Sequence, residues 1–65
     1  MVDFPAGSVA EYVARAALYR RKAAEARACA ETARTPEMMS NYMEIAKSYE
    51  RMASSIEEIA LTLPR

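Results

Sequence analysis

From Val9 onward, apolar and polar positions alternate with the period of a helix, not that of a strand. Val9, Ala16, Ala23 and Ala30 recur every seven residues, and Tyr12, Tyr19, Ala26 and Ala33 follow each of them by three. Farther along, Met38, Ile45, Met52 and Ile59 keep the same interval, with Tyr42, Tyr49, Ile56 and Leu63 four residues after each. Residues three and four apart share one helix face, so both series predict amphipathic helices with heptad seams. A single glycine and heavy use of Ala, Glu, Arg and Met agree with this.

Local chemistry marks the boundaries. Ser8 and Glu11 have the spacing of a capping box, in which each side chain bonds a free amide at a helix start. The first helix is therefore expected over about residues 8–34. In "RTPE", Thr35 suits an N-cap, Pro36 the first helical position, and Glu37 the positive end of the helix dipole. Thr35 also precedes proline, which disfavours helical angles there. The second helix is expected over about 36–63, with the turn at about residue 35 and Pro64 marking the end.

Seam phase decides whether Pro36 kinks one rod or separates two. Ala33 to Met38 is a step of five, where a continuous seam needs three or four. The apolar face would swing away at the proline, so a reversal is the better reading. The expected fold is all-α: an antiparallel two-helix hairpin, one domain over residues 1–65, with arms ~38 Å long. Its register should bring Ala30 near Tyr42, Ala23 near Tyr49, and Tyr12 near Ile59. Small residues then face large ones, which lets the axes approach closely.

The second helix also carries Met39, Ala46, Ala53 and Ala60 beside its main seam, an apolar face too wide for one partner helix. Two hairpins packed as a four-helix bundle would cover it. Size points the same way. A chain of 65 residues buries only ~60% of its unfolded surface and is marginal alone. Its single cysteine and lack of histidine leave neither an intrachain disulfide nor a zinc ligand set as a staple. The expected partner is a second copy, through Tyr12, Ala16, Tyr19, Tyr42, Ile45, Ala46, Tyr49, Met52, Ala53, Ile56 and Ile59. An Asp at Ile45 or Tyr49 should be strongly destabilising, because it would be an unpaired buried charge.

Charge narrows the function. Nine basic and nine acidic residues cancel, unlike the positive excess of a dedicated nucleic-acid binder. Residues 1–34 hold six basic and four acidic side chains (+2), and residues 35–65 three and five (−2), which suits segments lying side by side. Arg20, Arg21 and Lys22 are consecutive but fan ~100° apart around a helix. The coherent stripe is Arg20, Arg27 and Arg34, with Arg15 and Lys22 on the other flank, positions that commonly pair across a bundle. The stripe is also what a nucleic-acid-associated regulator would use, and that is the alternative function.

Chemistry is sparse elsewhere. Cys29 has no histidine to act as its base and reads as a small packing residue beside the alanine seam. Met38, Met39 and Met52 read as core filler, and Met43 as outward-facing. The four tyrosines fall on the seams, ring against helix and hydroxyl at the rim. Glu37, Glu44 and Glu58 lie on an outer stripe, and no inward carboxylate pair stands out for a metal. No catalytic, cofactor-binding or metal-binding residue is therefore assigned, and catalysis is not expected. No apolar run reaches the ~20 residues of a membrane span. An acid where a signal peptide wants positive charge makes a cytoplasmic location the default. Only Phe4, outside the helices, resembles a membrane-surface anchor.

The string Tyr19 to Ala53 resembles a group of short bacterial helical proteins without an assigned activity. Their pattern runs Arg-Arg-x-Ala-x-Glu-Ala-Arg, then Pro-Glu, then Ile-Ala-x-x-Tyr-Glu-x-Leu-Ala. The likeness rests on Arg20, Arg21, Ala23, Glu25, Ala26, Arg27, Pro36, Glu37, Ile45, Ala46, Tyr49, Glu50 and Ala53, with Met52 in place of the leucine. It implies a small helical protein and carries across no catalytic residue. The expected function is a non-enzymatic, self-associating interaction or scaffold module. An adaptor for a different protein would have the same sequence signature.

Overall fold

The structure, a computed structural model, describes residues 9–63. Helix α1 spans Val9–Glu31 and α2 spans Pro36–Thr62, packed side by side as an antiparallel hairpin. Its extents are 47 × 21 × 15 Å, one layer of two helices. Ser8 of the expected capping box, Phe4 and Pro64 lie outside the described residues.

The line of contact is made of alanine. Ala16, Ala23 and Ala30 of α1 are buried with Ala26, and Ala46, Ala53 and Ala60 of α2 are buried opposite them. Among the described residues nothing larger is buried. Ala23, Ala26 and Ala46 form one cluster with Tyr49 packed against it, which sets Ala23 beside Tyr49 as the register requires. Tyr19 and Tyr49 stack along the flank with ring centroids 5.9 Å apart.

The rows on α1 are the expected ones, but on α2 seam and flank are exchanged. Ala46 and Ala53 are fully buried, whereas Met38, Ile45, Met52 and Ile59 are 41–44% exposed. The cause is size. With alanines along α1 there are no deep holes for Ile or Met, and the closest approach comes from placing methyl against methyl. The larger side chains are displaced to the flanks. Met38, Met39 and Met52 are consequently exposed rather than core filler, and Cys29 is exposed rather than packed. Ala16, Ala46 and Ala53, expected at an interface between copies, are instead buried inside the hairpin.

The turn is longer than expected. α1 stops at Glu31, not Arg34, and residues 32–35 make the reversal. The Thr32 and Ala33 amides donate to the Cys29 and Ala30 carbonyls, both at 3.2 Å, and tighten the last turn. The Thr32 hydroxyl donates to the same Cys29 carbonyl at 3.3 Å. Axes 8–10 Å apart need a connection of a few residues, and a single residue at 35 would be too short. The start of α2 is as read. Thr35 is extended (φ −131°, ψ 154°), its hydroxyl accepts the Met38 amide at 3.1 Å, and Pro36 fills the first turn. At the far end Leu63, which precedes Pro64, is extended (φ −72°, ψ 143°), as pre-proline sterics favour.

Two substitutions test this. Thr35→Ala should cost about 1 kcal/mol by removing the cap. Ala53→Leu should cost about 1–3 kcal/mol by forcing the axes apart, while Ser54→Leu, on the exposed side, should stay within about 0.5 kcal/mol. Thermal melts followed by circular dichroism would separate them. Equal costs at positions 53 and 54 would refute the alanine contact line.

Candidate functional site

The hairpin has two unlike edges. On one, α1 and α2 exchange charge. Arg20 grips Glu57 with two hydrogen bonds, Nε to Oε2 at 2.9 Å and Nη2 to Oε1 at 2.7 Å. One heptad along, Arg27 grips Glu50 through Nε at 3.0 Å and Nη2 at 2.7 Å to both oxygens. Bidentate pairing of this kind is the strong form of a surface ion pair, since the planar guanidinium matches the carboxylate. Arg27 Nη1 also reaches Met43 Sδ at 3.9 Å. Met43 is therefore half-buried against this edge, not outward-facing.

Reading α1 alone shows the stripe Arg20, Arg27 and Arg34 but not its partners. Glu50 and Glu57 share the seven-residue interval of Arg20 and Arg27, and in an antiparallel register each arginine meets one glutamate. That matched spacing is the signal that could have found them. Arg34 has no carboxylate within ion-pair distance among the described residues. A phosphate-binding stripe would need Arg20 and Arg27 to leave carboxylates that already satisfy them.

The hydrogen bond from Arg20 holds the Glu57 carboxyl below the ordinary glutamate range, with desolvation opposing and the Arg20 charge adding. Arg20 is raised by the same hydrogen bond and charge, so it remains cationic. A carboxyl lowered in the fold contributes stability above its unfolded pKa and loses it as pH falls through the folded value. The titration window therefore belongs to Glu57.

On the other edge α2 presents Met38, Ile45, Met52 and Ile59, seven apart and 41–44% exposed. Tyr42, Tyr49 and Ile56 lie half-buried between this row and the alanine seam. An open groove of about 270 Å³ lies beside Met52, lined by Tyr19, Arg51, Met52, Ser55 and Ile56. A second depression of about 380 Å³, near the turn, is lined by Arg27, Ala30, Glu31, Met39 and Met43. Both are shallow furrows between side chains and not enclosed cavities. Among the described residues there is no buried polar or charged side chain and no cluster of three metal-binding groups. No helix is long and apolar enough to cross a membrane, again among the described residues.

Compared with family models, with curated proteins and with solved structures, the chain matches none. The geometry has to be interpreted by itself. It shows one edge closed by two ion pairs and another on which α2 exposes a row of large apolar side chains.

Two measurements follow. A double-mutant cycle with Arg27→Ala and Glu50→Ala should give a coupling of about 0.2–1 kcal/mol, the range for exposed pairs. In a pH series the melting temperature should be level from neutrality down to about 5, then fall more steeply below about 4 than in Glu57→Gln, given ordinary glutamate titration near 4.3. Parallel curves for the two proteins would remove Glu57 from the account.

Proposed function

We propose that the chain is a non-enzymatic helical interaction or scaffold module that works as a homodimer, two hairpins completing a four-helix bundle. A cytoplasmic setting fits its single, exposed and unpaired cysteine. One observation carries the reading: a hairpin that buries nothing larger than alanine among the described residues exposes a regular row of four large apolar side chains.

The energetics explain why this matters. A buried methyl contributes about 0.8 kcal/mol, against ~1.5–3 kcal/mol for a fully buried Ile or Met. The alanine seam is therefore a poor source of stability for ordering two helices, whose backbone alone costs ~1–2 kcal/mol per residue. The larger reserve of hydrophobic stabilisation lies in the exposed row. A second copy is the nearest surface able to cover it.

Sedimentation at micromolar concentration should give twice the 7.2 kDa chain mass. The melting temperature should rise with concentration, as mass action requires when folding and association are linked. Ile45→Glu should abolish the dimer, through dissociation or through unfolding of the unsupported hairpin. Leu61→Glu, on an exposed residue off the row, should leave it unchanged. A wild-type mass of one chain, or an Ile45→Glu protein that stays dimeric and equally stable, would overturn the proposal.

A further inference from the structure

On α2 the apolar row has a neighbour as regular as itself. Asn41, Ser48, Ser55 and Thr62 recur every seven residues beside it, on the side away from the tyrosines, and all are exposed. A free surface helix ordinarily carries charge at such positions. Here the rows Tyr42–Tyr49–Ile56, Met38–Ile45–Met52–Ile59 and Asn41–Ser48–Ser55–Thr62 contain no charged residue, and Arg51 reaches their margin beside Met52 and Ser55. The charged residues of α2 all lie elsewhere: Glu37, Glu44, Arg51 and Glu58 on the next row out, Lys47 beside it, and Glu50 and Glu57 on the closed edge. α1 has no comparable face, because its corresponding outer positions include Glu11, Arg15, Lys22 and Glu25.

We infer that this face docks on the same face of a second copy, α2 against α2, antiparallel about a two-fold axis between Ile45 and Met52. The inference rests on the self-association proposed above and specifies its geometry. The two-fold pairs Ile45 with the second copy's Met52, and Met38 with its Ile59, so each Ile meets a Met along the whole row. Small hydroxyl and amide side chains on the outer flank let the two helices approach while remaining wet at the rim. The tyrosine row turns toward the interior between the hairpins.

Area and charge both suit that occupant. A helix of 27 residues is ~40 Å long and 10–12 Å across, and a third of its circumference is roughly 500 Å². Two copies together bury about 1,000 Å², the lower bound for a specific interface. On the row beyond the flank, the two-fold sets Glu44 beside the second copy's Arg51, and Arg51 beside its Glu44. Within its own hairpin Arg51 has no carboxylate in ion-pair range among the described residues, and Glu44 has only Lys47 at 3.8 Å. The same two-fold brings Glu37 toward the second copy's Glu58, a repulsion confined to the exposed ends, where solvent screens it.

Site-directed cross-linking in a Cys29→Ala background tests the geometry, with sedimentation run on each variant before linking. Ser48→Cys, next to the axis, should link to its own copy with a short bis-maleimide. Asn41→Cys and Ser55→Cys should not link alone, because each lies roughly 20 Å from its symmetry mate at 1.5 Å per residue. Mixed together, those two should link. Arg51→Glu should weaken the dimer about five-fold or more, and Glu44→Arg with Arg51→Glu in one chain should restore it, as expected for paired surface charges. Dimers in which Asn41→Cys or Ser55→Cys links alone, or in which none of the three links, would overturn the antiparallel α2 face and leave self-association standing. Monomers in every sedimentation run would overturn both.

Discussion

The organisation of this protein follows from the smallness of what lies between its helices. Rows of alanine on both sides allow the axes to come close, and close axes leave no room between them for anything larger. Larger side chains are then displaced sideways, toward the edges of the hairpin. On one edge the displaced positions are Arg20, Arg27, Glu50 and Glu57, which close over the seam as two bidentate ion pairs. On the other they are Met38, Ile45, Met52 and Ile59, which remain 41–44% exposed. One packing choice therefore produces both a finished edge and an unfinished one.

The two edges have different physical roles. Exposed ion pairs contribute little net stability, but Arg20–Glu57 and Arg27–Glu50 fix which residues of α1 meet which of α2. A register slip of one turn would break both at once, whereas a contact line of near-identical alanines would tolerate it. Charge thus specifies the hairpin, and the apolar row is left for the association between hairpins proposed above. The same pairing lowers the free positive charge of the arginine stripe, since two of its three members, Arg20 and Arg27, already hold carboxylates.

Much of the fold is legible in the chain. The seven-residue rows of α1, the cap at Thr35, the reversal before Pro36 and the pairing of Ala23 with Tyr49 follow from spacing and local chemistry. The expectation failed where hydrophobicity was allowed to stand for depth. Met38, Ile45, Met52 and Ile59 are the most apolar row of α2, yet burial went to Ala46, Ala53 and Ala60 because the contact line of a closely packed pair selects for size. Met43, Glu50 and Glu57 were missed for a related reason: their partners lie on the other helix, and the link is a shared interval and not a local motif. The end of α1 was placed three residues late because no glycine or proline marks it, and only the span of the reversal sets it.

An alanine seam also changes what stability means for this chain. A hairpin with a core of large residues can fold first and associate later, since its own burial already offsets the ordering of the backbone. Here the side chains with the most to gain from leaving water are those the hairpin cannot bury, so their contribution appears only when another surface arrives. In the proposed dimer, folding and association would belong to one equilibrium, and the population of intact helices would depend on protein concentration. In that dimer, substitutions on the Met38–Ile59 row would act on the hairpin at a distance, by removing the surface that makes its ordering favourable, although none of those residues lies in the seam.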